Sequence, residues 1–330
     1  MAATTANKSS DVTALIQEHY EREALKQRTF ENGLLSIPEK RNIPQMQSKV
    51  IHWHRWQDFA LAETVLEGVE PVSPIAANVD EVIGQLQIIS SVINIPKEGD
   101  ILRIDSLIKN SYKLFERQSE RTCNSLLRQY IASGSTVIGG SASFSPATIM
   151  YANGKTAFAN LTAGDQLRAA DIQRAVGYLR QQGCPLNGPA DCVLNPWNES
   201  DLIAEDTAYQ QLIKNVDPKV FKEGQVQYWA GANITREAEP FRESLAGTEG
   251  VYDRTGSVIT TYVMGPQSVA ITQLMGKTGM KPNFKVQDIT ATGSNMTIGY
   301  RFYFSGAVLK PEWIIQLKSV ASNATVANPL

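Results

Sequence analysis

The chain has 330 residues, 42% apolar and 19% charged, which excludes wholesale disorder and allows one large domain or two ordinary ones. Its 31 Lys+Arg against 33 Asp+Glu leave a net charge of −2, so no long-range field gathers a polyanion, and a dedicated nucleic-acid binder is disfavoured. A bilayer-spanning helix needs about 18 consecutive apolar residues, and no such run exists. The N-terminus, MAATTANKSS, lacks the apolar core of a signal peptide, and three cysteines without an export signal point to free thiols in a reducing compartment.

Residues 1–10 are small and polar and are expected to be disordered. From Asp11 to Phe30 the spacing predicts a helix, with Val12, Leu15, Ile16, Tyr20 and Ala24 on one narrow apolar stripe. Ser9, Ser10 or Asp11 caps it, Gly33 stops it, and an irregular segment with Pro38 and Pro44 follows. With little sequence around it to build a core, this helix is expected to dock on something else. KVIHWHRWQDF (49–59) reads as a strand, with His52, His54 and Trp56 on one face and Ile51, Trp53 and Arg55 on the other. Both faces mix aromatic and charged groups, so neither reads as a clean core face. Gly68, Pro71 and Pro74 turn the chain toward a second extended run, Val79 to Ile95. Residues 49–78 therefore read as a projecting β-ribbon, and such a ribbon needs another surface to lie on.

The strongest periodicity lies in 101–132. Ile104, Leu107, Ile108, Leu114, Phe115, Leu126, Leu127, Tyr130 and Ile131 mark one face, and charged residues from Arg103 to Arg128 cover the rest. At 1.5 Å per residue this is a helix on the order of 45 Å long, ended by Gly134 and a small-residue loop. The middle of the chain reads as α/β: a helix over 163–182, a strand at Asp191–Leu194, and a helix from Glu199 to Lys214. Strands at Gly224–Gly231 and Val258–Met264 flank a polar Arg/Glu-rich loop. Near the C-terminus, Ile298, Tyr300, Phe302 and Phe304 alternate as in a strand, and Trp313 to Leu317 is a last apolar run.

Chemistry-bearing motifs are weak. All three histidines, His19, His52 and His54, lie in the first 54 residues, so the rest lacks the usual neutral-pH base and the commonest metal ligand. Gly276-Lys277-Thr278 lacks the upstream glycine of a phosphate loop, because Ile271 stands there, and reads as an ordinary turn. His52 and His54 have no third histidine nearby and read as surface packing; Cys184 and Cys192 read as free thiols. Asp201, Glu205 and Asp206, like Glu63, Glu67 and Glu70, read as solvated faces. Arg117, Arg121 and Arg128 interleave with Glu116 and Glu120 and read as intrahelical pairs. No catalytic site, metal or cofactor is expected. A docking helix, a projecting ribbon, a long helix and an α/β body all need neighbours to bury their apolar faces, which points to a self-assembling structural protein.

The order of these parts resembles the bacteriophage major capsid proteins typified by the N4-like podovirus coat proteins. The run VIHWHRWQDFALAETVLEGVEPV (50–72) is similar to that family's ribbon signature, with Leu66, Glu67, Gly68 and Pro71 in place. CVLNPWNESDLIAED (192–206) resembles its strand, Pro turn and Asp-Leu helix. SVITTYVMGPQSVA (257–270) resembles its strand-then-Gly segment, and YRFYFSGAVLKPEWIIQLKS (300–319) its closing strands. IPKEGDILRID after Asn94 departs from it, lacking the Thr-Asp pair expected before the long helix.

The resemblance implies an α+β, Hong Kong 97-like fold. It implies an N-terminal arm (1–48), an extended E-loop (49–78), a peripheral domain (79–135 and 293–330) and an axial domain (136–292). In the peripheral domain the long helix would be a spine packed with strands at 79–95 and 296–320. Tyr20, Trp53, Arg55, Trp56, Glu67 and Gly68 are the expected subunit-interface residues, with the tryptophans exposed in an isolated subunit. Leu107, Phe115, Leu127 and Ile131 are the expected spine core. The implied partners are further copies in hexamers and pentamers, with scaffolding, portal and decoration proteins as further candidates. DNA would be enclosed without sequence-specific binding, no membrane is involved, and no lysine matches the autocatalytic cross-link that some relatives use. A tail or connector component, and more remotely an α/β enzyme using carboxylates, are the alternatives.

Overall fold

A computed structural model of the chain describes residues 32–43, 49–57, 59, 61, 76–96, 107–133, 148–205, 228–274, 283–288 and 295–322. The helix expected over 11–30, Tyr20, Glu67, Gly68, the residue 134–146 loop, Asp206 and the Gly276-Lys277-Thr278 turn lie outside these residues.

The strands in chain order are β1 (Glu39–Ile43), β2 (Val50–Trp56), β3 (Val79–Gln85), β4 (Gln87–Pro96), β5 (Thr148–Tyr151), β6 (Ala190–Leu194), β7 (Tyr228–Trp229) and β8 (Ala232–Arg236). They continue with β9 (Arg242–Glu243), β10 (Val258–Met264), β11 (Val269–Leu274), β12 (Asn283–Asp288), β13 (Asn295–Val308) and β14 (Ile314–Val320). The helices are α1 (Leu107–Ser133), α2 (Ala169–Gln181) and α3 (Pro196–Glu205).

Strand β13 organises a five-stranded sheet. Its first ten residues pair antiparallel with β4 on one side, and β12 pairs along much of the other. Its end pairs with β11, which carries β1 in parallel. Alternation sends Met296, Ile298, Tyr300, Phe302 and Phe304 to one face, each at most 7% exposed. Helix α1 lies across that face. Its buried positions Phe115, Ser119, Cys123 and Leu127 recur every four residues, and Tyr130 and Ile131 complete the stripe. The Phe115 and Tyr300 rings meet at 4.9 Å, and Tyr112 meets Phe284 at 4.7 Å. Gly306 lies under Tyr130, where an added Cβ would stand 2.6 Å from the ring. Leu114 falls off the stripe and is 51% exposed, a correction to the apolar face drawn from sequence. Of the four expected spine-core residues, Phe115, Leu127 and Ile131 are buried in this cluster. Leu107 opens α1, and its side chain lies outside the described structure.

The second sheet has seven strands. Strands β5, β14, β10, β6, β8 and β7 follow one another, and β9 also pairs with β10. The β10–β14 ladder is antiparallel over seven residue pairs, and all seven residues of each strand are buried. Helix α2 covers one face, with Ile172, Ala175, Val176 and Leu179 packed against Cys192, Leu194, Val263, Ile315 and Leu317. The other face contributes Val193, Tyr262, Met264 and Ile314 to the same apolar cluster as α1. Helix α1 is thus wedged between the two sheets, and its last turn is tied by the Gln316 amide donating to the Ile131 carbonyl at 3.3 Å.

Several expectations are corrected here. The run 296–320 does not form one sheet with 79–95: β14 joins the seven-stranded sheet, whereas β11 and β12 join the five-stranded one. The run 79–95 is two strands, because Leu86 breaks the ladder and turns its buried side chain inward. Helix α2 starts at Ala169 rather than 163, because the Asp165 carboxylate closes a turn on Thr162 and the Asp171 carboxylate accepts from the Arg168 amide. The expected Gly224–Gly231 strand is described over Tyr228–Trp229 alone, ending at Ala230 and Gly231, both at positive φ. Strands β1, β5, β8, β9, β11 and β12 have no counterpart among the elements expected from sequence.

Candidate functional site

The β2–β3 ribbon is paired in full register from Val50↔Gln85 to Trp56↔Val79. Its two faces do not have the same fate. Trp53 and Val82 pack on Ala270 and Ala307, whose small side chains leave room for the indole, so Trp53 is only 6% exposed. The Arg41 guanidinium stacks 4.5 Å from the Trp53 ring on the remaining side. Arg55, half-buried, donates to Asp80 across the ribbon at 3.0 Å and to Glu312 at 3.2 Å. The base of the ribbon is therefore fastened to the five-stranded sheet and to the Pro311–Trp313 turn that leads into β14. The expectation that Trp53 is exposed in a lone subunit is overturned, as is the view that neither face is a core face. A period-two strand sends residues 51, 53 and 55 the same way, and there the alanines wait.

The opposite face behaves as expected. Trp56 is 68% exposed, with Val79 at 43% and Ile83 at 40% on the same face. Phe59 and Leu61, where the chain leaves the ribbon, are 62% and 97% exposed. The outer face of β4 adds Ile88 and Val92, 56% and 64% exposed. Trp56 and Val79 are cross-strand partners, so their exposed side chains stand together, and apolar surface of this kind is costly to leave in water. His52 on that face pairs with Glu81 at 2.5 Å, and no group of three or more His, Cys, Asp or Glu side chains that could hold a metal occurs among the described residues.

The charged residues of α1 make contacts the sequence did not suggest. Arg121 pairs with Glu239 at 2.6 Å, and Arg128 donates to the Glu239 carbonyl, contacts off the helix beyond the intrahelical pairing expected for them. Beside them the Glu237 carboxylate, 1% exposed, accepts from Asn124 on α1 at 2.6 Å and from the Leu34 and Glu239 amides at 3.3 Å. Burial pushes its pKa up to about 7, against the pull of Arg128 and these three donors. Glu237 thus joins the Gly33–Leu35 turn, α1 and the seven-stranded sheet at one point.

A second buried charge cluster closes the far edge. Lys318 on β14, its side chain 3% exposed, lies 2.9 Å from both Glu243 and Glu249, and Tyr151 donates to Glu249 at 2.8 Å. Asp201, read from sequence as solvated, is 3% exposed and accepts from the Ser322 amide and hydroxyl. The Glu205 side chain lies outside the described structure. Cys123, Cys184 and Cys192 are all buried, and burial pushes the Cys123 and Cys192 thiols up to about 12, which keeps them protonated and non-nucleophilic at neutral pH. These buried polar groups hold elements together; what the surface offers is a fastened ribbon with an uncovered outer end.

A spine helix wedged between two sheets, with a β-ribbon packed by one face on β11 and β13, defines the class to which the chain's architecture belongs: the Hong Kong 97-like fold. Solved structures share it nearly end to end. The capsid of Ralstonia phage GP4 superposes with a TM-score of 0.65 at 13% identity, covering 97% of this chain and 98% of that one. The cyanophage Pam1 capsid gives 0.66 at 13% identity, covering 98% and 100%. The SrpI encapsulin of Synechococcus elongatus gives 0.58 at 11% identity, covering 98% and 100%. No family model matches the sequence, and no curated protein matches it. At these identities the likeness is one of fold.

Proposed function

We propose that this chain is the major capsid protein of a tailed bacteriophage, assembling through hexamers and pentamers into the icosahedral shell around its double-stranded DNA. The observation that carries this is the match with phage capsid chains over 97–98% of this chain and 98–100% of theirs. The exposed apolar side chains of Trp56, Val79, Phe59 and Leu61 support it, because a folded subunit leaves them wet until a neighbour covers them. Contacts repeated around an axis close rings, and rings tile a shell. Many modest interfaces then add as avidity, so no single tight bond is needed. A net charge of −2 suits a lining that contains a polyanion without gripping it.

Within this reading residues 1–48 are the N-terminal arm and 49–78 the E-loop. Residues 79–135 and 293–330 form the peripheral domain, with β14 lending itself to the axial sheet, and 136–292 form the axial domain. Trp56, Glu67 and Gly68 of the loop and Tyr20 of the arm meet neighbours, while Trp53 and Arg55 hold the loop's base. Kinship with the N4-like podovirus coat proteins rests on the ordered motifs at 50–72, 192–206, 257–270 and 300–319. The protein is made in the host bacterial cytoplasm and ends in the virion, with scaffolding, portal and decoration proteins as further partners.

The test is electron microscopy of the purified chain, alone and in the native particle. Closed icosahedral shells are the expected result. A ring of fixed number would indicate a connector, and a stable monomer at high concentration would overturn the proposal. The encapsulin match makes the contents of native particles the second readout: double-stranded DNA is expected, and a protein cargo would assign a compartment instead.

A further inference from the structure

The β2–β3 ribbon is a sheet of two strands, so β2 keeps one open edge. The Gln57 amide donates to the Asn78 carbonyl at 3.1 Å and the Leu86 amide to the Lys49 carbonyl at 2.9 Å, so both pairs are directly bonded rungs that extend the β2–β3 register. Bonded rungs alternate in an antiparallel ladder. Ile51, Trp53 and Arg55 therefore bond β3, while His52, His54 and Trp56 turn their backbone N–H and C=O groups the other way. None of these groups has a partner among the described residues. A strand edge is ordinarily blunted by a proline, a lysine or a bulge, and Val50–Trp56 has none of them. The consecutive residues His52–Trp56 line a groove of about 460 Å³, completed by Glu39 and Arg41 of β1 and by Gln267, Leu309 and Lys310. Donors outnumber acceptors in it. Arg41 is paired with Glu39, and Arg55 with Asp80 and Glu312. The Lys310 ammonium rests 3.5 Å from the centroid of the Trp313 ring and has no ion-pair partner among the described residues. The Trp53 indole N–H, in the same lining, has no acceptor among them either.

We propose that the open edge of β2 is completed by an extended, acidic strand of a partner protein, laid in this groove as a third strand of the ribbon. The backbone groups of His52, His54 and Trp56 supply the ladder, which is how an unpaired edge captures an extended peptide. Alternation then assigns the incoming side chains. One set faces the groove, where a carboxylate answers the Lys310 ammonium and a donor-rich lining. The other set continues the ribbon's outer face, where an apolar residue covers Trp56, 68% exposed. A second copy of the same edge is a poor occupant, because it would set His52, His54 and Lys310 against like charges. The pairing does not depend on the capsid reading, since it concerns one edge of the folded subunit.

The experiment is amide hydrogen exchange of the full-length, unassembled subunit, resolved to single residues by electron-transfer fragmentation. The probe is a capped peptide of alternating Glu and Val, seven residues long, and the control is its Lys and Val counterpart. Saturable protection of the His52, His54 and Trp56 amides by the acidic peptide is expected, with the basic peptide at least about tenfold weaker. Equal binding of the two would overturn the acidic assignment, and no protection by either would overturn the edge as a docking site. Slow exchange of those three amides without peptide would show that this chain or a second copy already covers the edge, and would overturn the partner. His54→Pro removes an N–H that the β2–β3 ladder does not use, in a position where an edge strand accepts proline. It should abolish binding, and undiminished binding would overturn the ladder. Should that variant fold poorly, the acidic peptide N-methylated at alternate residues, in both registers, makes the same test on the parent: it should not bind, and binding would overturn the ladder.

Discussion

Asn124, in the middle of α1, donates from Nδ2 to the Glu237 carboxylate at 2.6 Å, with both residues at most 1% exposed. A carboxylate so placed makes stability depend on pH. Its pKa is raised from 4.5 to about 7 in the folded chain, so the folded state binds the proton more tightly than the unfolded one. The resulting stability is fully present below pH 4.5 and is lost as pH rises through 7. The swing is roughly 3 kcal/mol, at about 1.4 kcal/mol for each tenfold difference in proton affinity between the two states. Glu237→Gln removes the titration. Thermal melts should show the parent gaining on the variant as pH falls from 8 to 5; a constant gap would mean that Glu237 keeps an ordinary pKa.

The α1 stripe carries a large share of stability. Phe115→Ala or Leu127→Ala should each cost about 2–5 kcal/mol, because truncation loses transfer energy and leaves a cavity between α1 and β13. Lys113→Ala, on the exposed face, should stay within about half a kcal/mol. Urea titrations of the unassembled subunit separate the two classes. A Leu127→Ala variant that melts like the parent would show α1 to be an exposed element.

The two ribbon tryptophans should now behave differently. Trp53→Ala empties the space over Ala270 and Ala307 and should cost the subunit about 3–5 kcal/mol. Trp56→Ala, 68% exposed, should leave the subunit's melting temperature unchanged and lower particle yield. Normal shells from Trp56→Ala would remove this residue from the interface.

Lys318 and Glu243 are buried as a pair, so removing one partner strands the other. Lys318→Met should cost roughly 3–5 kcal/mol, and Lys318→Met with Glu243→Gln should recover much of it. A double-mutant cycle on chemical denaturation measures the coupling. Additive losses would mean that Glu249 alone holds the lysine.

Where periodicity was regular, the sequence was sufficient. The α1 stripe, the β13 alternation and the seven-residue β10 run are local patterns whose buried face is set by the spacing of apolar side chains. The ribbon's two faces were also readable, because alternation is a property of the strand itself. Which face would be covered was not, since Ala270 and Ala307 lie more than 200 residues away and only the fold brings them under Trp53. Polar segments misled for the same reason. Glu39–Ile43 is a strand because β11 supplies its ladder, and Arg242, Glu243 and Lys318 are buried because each finds a distant partner. The apolar pattern of this chain by itself determined α1, β10 and β13 and the alternation of the ribbon's first strand. The pairing of distant strands, and hence the sheet to which β14 belongs and the burial of its charges, was decided only in the tertiary structure, because a backbone or ionic group is satisfied by whatever the fold places opposite it.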